Sequence, residues 1–157
     1  NRIDLPDDGF SRRVMRRLKF DNETVKTVAR LVCYHDYRVE ATPKNVRRAM
    51  NRIGVELFPY YLAVRMADAK AQSTYQRREK IENIVEMRRL YQEALRQEDC
   101  VTLRQLAVGG HELMELGMKP GREIGSMLGE LLEYVIDDPS RNTKEILCAY
   151  VKEKLSS

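Results

Sequence analysis

The chain of 157 residues contains no tryptophan and only three phenylalanines, with aromatics at 7% of the total. So small a supply of ring side chains argues against an all-β fold, whose strands draw on aromatic and β-branched residues. No apolar stretch approaches the roughly 18 residues a membrane-spanning helix needs, and the start carries no charged-then-apolar leader. A cytoplasmic protein without membrane association is therefore expected. Cysteine is limited to Cys33, Cys100 and Cys148, widely spaced and without a Cys-x-x-Cys pair. That odd count speaks against a disulfide framework and for buried free thiols in a reducing compartment. Histidine is scarcer still, at His35 and His111. An initiator methionine is also missing: the chain opens Asn1-Arg2-Ile3, enters a helical pattern soon after, and reads as a fragment.

What the chain has in abundance is charge, at 33% of residues with a net +4. Residues 1–54 hold 13 Lys or Arg against 7 acids, residues 55–98 hold 8 against 7, and residues 99–157 hold 7 against 10. A basic front suits a polyanion, because each neutralised phosphate releases counterions. Modest positive charge is more often a solvated helix face, and the groups Arg12, Arg13, Arg16, Arg17 and Lys19, Arg47-Arg48, and Arg77-Arg78-Lys80 are read that way. A chain of this length buries roughly 68 to 70% of its unfolded surface, enough for one compact unit or two small helical lobes.

Periodicity and punctuation predict helices throughout. Val14, Met15 and Leu18 mark a short amphipathic helix over 11–20. Asp21 or Asn22 caps the next, whose stripe Val25, Val28, Ala29, Val32 and Cys33 runs to an end near Tyr37. Thr42-Pro43 is a cap followed by a first-position proline, and that helix closes at Gly54. Helices over 56–72 and 75–97 follow, then a short one opened by Thr102. Asn142 with Glu145 forms a capping box for a last helix to Leu155. The expected fold is an all-α bundle of about seven to eight helices, with domains at 1–54 and 55–157.

The run from Leu106 to Asn142 carries most of the signal. Gly117 stands where a helix stops in a left-handed residue, Pro120 takes a first-turn position, and Gly121, Gly125 and Gly129 recur every fourth residue along the helix that follows. Each interior glycine gives up roughly 1 kcal/mol of helix propensity relative to alanine, so three on one stripe predict close approach of another backbone or a phosphate. Packing by a neighbour is the favoured account. Met114, Met118 and Met127 lie on apolar stripes and read as core filling.

This run resembles the C-terminal RNA-binding region of bacterial CCA-adding tRNA nucleotidyltransferases, in the wider poly(A) polymerase family. The shared elements are Leu106-Ala107-Val108-Gly109-Gly110, Glu112-Leu113, Leu116-Gly117-Met118-Lys119-Pro120-Gly121, Ile124-Gly125 and Pro139-Ser140-Arg141-Asn142. One departure is visible: the family's Asp is Glu112, which keeps the charge on a longer arm. The likeness continues upstream in residues 16–39 and 64–73, so that residues 1–54 resemble a remnant of an HD-like helical domain and residues 55–157 a helical RNA-binding domain.

The resemblance implies a portion that holds tRNA during 3′-end maturation, with Mg and ATP or CTP belonging to an N-terminal nucleotidyltransferase head. No strand carrying a Gly-Ser motif with Asp-x-Asp appears here, so no catalytic residue is assigned and no cofactor is expected in this chain. The RNA-binding candidates are Arg104, Lys119, Gly121, Arg122, Arg141 and Lys144, with amides near Gly121 and Gly125 offering a helix N-terminus to a phosphate. The adjacent His35-Asp36 pair is the one metal candidate. It raises the alternative of a degenerate HD-type metal-dependent phosphohydrolase, although too few histidines are present to complete such a site, and a histidine at a helix end is the simpler reading. A further alternative is a protein-interaction module using the Gly121–Gly129 groove.

Overall fold

Caps and glycines decide where most elements begin and end. The computed structural model describes residues 9–72 and 76–156. Among them the chain is helical, without strands: α1 (Gly9–Arg17), α2 (Asn22–Tyr34), α3 (Pro43–Ile53), α4 (Phe58–Ala71), α5 (Arg77–Arg96), α6 (Gly110–Glu115), α7 (Arg122–Asp137) and α8 (Lys144–Ser156), with 3-10 turns at Leu103–Gln105 and Pro139–Arg141. The all-α expectation holds. The opening residues Asn1-Arg2-Ile3, Ser73 and the expected helix start at Tyr75 lie outside the described residues.

Asp21 caps α2 by accepting from the amides of Glu23 and Thr24 at 3.0 and 2.9 Å, and Thr42 caps α3 ahead of Pro43. Gly54 ends α3 at φ +104°, a conformation that disfavours any residue with a Cβ. Two expectations shift. α2 stops at Tyr34 rather than near Tyr37, because the amides of His35 and Tyr37 turn back to the carbonyls of Val32 and Tyr34. α1 buries nothing: Phe10, Val14 and Leu18 are exposed, and of the expected trio Met15 alone is half-buried.

The chain divides into two compact units, Asn1–Tyr91 and Gln92–Ser157, with the division inside α5. The helix-stopping glycine at 54 therefore ends an element without ending a unit. α4 packs on both α2 and α3, and it brings buried Phe58, Tyr61 and Leu62. The Tyr61 hydroxyl donates to the Tyr37 carbonyl at 2.5 Å, and burial pushes its pKa up to about 12, so it remains a donor across the working range. Tyr34 and Arg30 both donate to the Arg52 carbonyl. Asn83 of α5 donates to the Val39 carbonyl at 2.8 Å and accepts from the Ala41 amide at 2.9 Å, fastening the loop after α2.

In the second unit, α7 and α8 supply Leu131, Leu132, Val135, Ile136, Leu147 and Val151 to a core completed by Cys100, Val108 and Leu113. Met118 and Met127 pack against it, whereas Met114 is exposed on α6 and fills no core. All three cysteines are free, with Cys100 buried and the others half-buried. Helix α6 ends in a Schellman turn: the Met118 amide reaches the Leu113 carbonyl, the Gly117 amide reaches that of Met114, and Gly117 lies at φ +97°. Pro120 is not in the first turn of α7. Gly121, at φ +149°, is the N-cap, so the proline sits one residue outside the helix.

At its other end α6 is closed by Glu112, which accepts from the Gly109 amide at 2.8 Å, so the longer acid arm still finds a cap. The last helix is begun differently from the expected capping box. Thr143 accepts from the Ile146 amide at 3.3 Å, while the Asn142 side chain turns away to accept from the Ala107 amide and donate to the Gln105 carbonyl, each at 2.9 Å.

Two predictions follow from these bonds. Asn142→Ala removes both partners of a loop 35 and 37 residues distant and is expected to cost about 1–2 kcal/mol in urea denaturation; an unchanged midpoint would show that the contact adds nothing. The bond from Gly109, reinforced by Lys144, holds the Glu112 carboxyl below its ordinary value of 4.5. A depressed carboxyl stabilises above its unfolded pKa and loses that contribution as pH falls through the folded value. Glu112→Gln should therefore flatten the acid limb of a stability-versus-pH curve, and a parallel curve would refute the assignment.

Candidate nucleic-acid interface

Three of the candidate cations in the second unit lie next to residues joined by a backbone fastening. Arg104 lies in the first 3-10 turn beside Gln105, whose carbonyl is held by Asn142. Arg141 immediately precedes Asn142, and Lys144 opens α8 two residues later. The same fastening thus positions Arg104, Arg141 and Lys144 from two chain segments. The Lys144 ammonium lies 3.7 Å from Glu112, which ties α8 to the start of α6. Gly110 of α6 faces α7, where a Cβ would lie 3.4 Å from the Ile124 side chain.

Lys119, Gly121 and Arg122 occupy the α6–α7 hairpin and are all exposed. No side chain caps α7, because Gly121 has none to offer. Its first-turn amides are left to solvent or to an external acceptor, with Lys119 and Arg122 on either side. Among the described residues, the side chains of Arg104, Lys119 and Arg122 take part in no ion pair or hydrogen bond, in contrast to those of Arg141 and Lys144.

The glycine stripe departs from the favoured packing account. A Cβ built at Gly125 or Gly129 meets nothing within 4 Å, so no neighbour within the described residues requires either glycine. The glycines nearest a neighbour are Gly110 and Gly109, where a Cβ would make ordinary contact at 3.4 and 3.5 Å, and the fourfold spacing singled out neither.

His35 and Asp36 pair with one another at 2.9 Å, and the His35 Nδ1 lies 2.5 Å from the Val32 carbonyl. Both ring nitrogens are thereby engaged at the end of α2. Among the described residues no group of three or more His, Cys, Asp or Glu side chains is arranged to hold a metal ion. Asp36 does line a polar cleft of about 450 Å³ in the first unit, together with Arg38, Arg65, Asp68, Lys80 and Asn83, while His35 does not. Carboxylates and cations are mixed in that lining, so it does not select an anion by charge.

Two features escaped sequence reasoning. One is the fastening role of Asn142, which a helix-start pattern disguised. The other is a ring stack between α7 and α8, where Tyr134 and Tyr150 lie with centroids 4.5 Å apart. The Tyr150 hydroxyl donates to Glu130 at 2.6 Å, and Lys154 pairs with the same carboxylate at 2.7 Å. These bonds, Lys154 first, hold the Glu130 carboxyl below its ordinary range. The sixteen-residue separation of the two tyrosines fits no helical spacing and gave no signal.

No curated protein and no solved structure matches the chain. The protein-family model for tRNA nucleotidyltransferase domain 2 matches residues 7–151, taking in both units from α1 well into α8. With that span covered, the chain belongs to the tRNA nucleotidyltransferase domain 2 family.

Proposed function

We propose that this chain is the tRNA-binding C-terminal portion of a CCA-adding tRNA nucleotidyltransferase, which holds tRNA while a separate N-terminal head extends its 3′ end. The family match over residues 7–151 carries this reading. Mg and the nucleotide triphosphate belong to the head, and the chain's own contribution is to position the RNA, in a cytoplasmic setting.

The arrangement in the second unit supports that role. A phosphate placed at the start of α7 receives the uncapped amides of its first turn and the side chains of Lys119 and Arg122. Arg104 and Lys144 lie on the segments fastened by Asn142, within the same unit. Open space beside Gly125 and Gly129 lets a sugar-phosphate backbone come near the helix, which a side chain there would obstruct. Such contacts recognise folded RNA by shape, through phosphates and 2′-hydroxyls. The HD-type and protein-interaction alternatives draw on no comparable observation.

Titration of the chain with tRNA across a salt series tests this reading. Replacing Lys119 and Arg122 by Ala should weaken binding and reduce the slope of log affinity against log salt by about 2, with the fold intact; an unchanged slope would remove these residues from the interface. Gly125→Ala offers a second measurement. The helix should gain about 0.5–1 kcal/mol of stability, since the added methyl meets nothing, while tRNA affinity falls. A stabilised variant with native affinity would mean that no RNA backbone approaches there.

A further inference from the structure

Arg141 is held unlike the other candidate cations. Its guanidinium carbon lies 4.3 Å from the centroid of the Tyr134 ring, which in turn lies against Tyr150. At the far end of this column the Lys154 ammonium is 5.5 Å from the Tyr150 centroid and is neutralised by Glu130. Cation, ring, ring and cation therefore follow one another along α7 and α8. The guanidinium is also fixed within its own plane: Nη1 donates to the Tyr134 carbonyl at 3.3 Å, and Nε lies 3.4 Å from the Asp138 carboxylate. These contacts use one face and part of the edge. Nη2 is engaged by nothing among the described residues, and 35% of the side chain remains exposed.

A phosphate is a poor match for this group. Asp138 already balances its charge, and Asp137 adjoins it in sequence. What the site offers is a flat, weakly hydrated plane, preorganised from beneath by an aromatic ring, and such planes stack on nucleobases. We propose that Arg141, seated on Tyr134, is a stacking platform for an unpaired nucleobase of the bound RNA. The assignment deepens the tRNA-binding reading and rests on it. The Gln105–Asn142 fastening sets Arg104 and Lys144 close by along the chain, where they meet the phosphates flanking the stacked base.

Stacking and phosphate contact differ in what they respond to. Loss of a stack lowers affinity for RNA with an unpaired base, leaves duplex affinity alone, and does not change the salt slope, because no counterion is released. The test uses the full chain with two stem-loop RNAs, carrying 2-aminopurine in the loop or in the stem, and a blunt RNA duplex of equal charge. The native chain is expected to quench the loop probe and spare the stem probe. Arg141→Lys, which keeps the charge and can still pair with Asp138, should bind the loop RNA about tenfold more weakly, with quenching lost, the salt slope retained and duplex affinity unchanged.

The proposal is overturned if the native chain binds the stem-loop without quenching the loop probe, a measurement that needs no variant. It is also overturned if Arg141→Lys retains native affinity for the loop RNA, as a platform built for a protein side chain would require, or if loop and duplex RNA lose affinity equally. Each of these outcomes leaves tRNA binding itself standing. Failure of the native chain to bind any of these RNAs while it binds tRNA overturns the platform alone, and failure with tRNA as well overturns both readings.

Discussion

The second unit depends on a single side-chain amide serving as donor and acceptor at once. Asn142 spans the carbonyl of Gln105 and the amide of Ala107, a pairing that copies one rung of a β-ladder without a second strand. A carboxylate in its place offers no donor, and an alanine offers neither group. The geometry fixes the backbone on both sides, and the exposed cations of the first 3-10 turn and of the α8 start inherit their placement from it. Asn83 does the same for the loop after α2 in the first unit. Each unit thus settles a loop of irregular backbone, whose polar groups have no helical partner, with one asparagine from another segment.

Local chemistry made the helix boundaries legible. Asp21, the Thr42-Pro43 pair, Gly54 and Gly117 each act within one turn, so residue type alone identifies them. Features that depend on distant neighbours were not legible. The 3.6-residue pattern of Val14 and Leu18 marks a helix correctly but says nothing of whether a partner covers it, and in α1 none of the described residues does so completely. Gly54 stops a helix, yet the burial of Phe58 and Tyr61 carries the first unit on to Tyr91. Asn142 stands three residues before a glutamate, which resembles a capping box until its long-range partners are seen. The hairpin that carries the family likeness was visible, whereas the Arg141–Tyr134 geometry required knowledge of how α7 lies against the turn that follows it.

Charge is partitioned more sharply by unit than by thirds of the chain. Residues 1–91 hold 20 Lys or Arg against 12 acids, and residues 92–157 hold 8 against 12. The positive charge that would draw a polyanion over distance therefore lies on the first unit, whereas the second is net negative. Two lysines of α8 are in addition paired with carboxylates, Lys154 with Glu130 and Lys144 with Glu112.

The turn at Gly117 and the bridge at Asn142 also differ in the length of chain each must gather. The Schellman turn closes across neighbours and needs little search, whereas the amide bridge joins segments 35 and 37 positions apart and must overcome the larger loss of chain freedom. The hairpin therefore closes at a smaller entropic cost than the bridge. Of the surface that would meet RNA, the hairpin part rests on local bonds and the part beside Asn142 on a long closure, so the latter is the costlier to order.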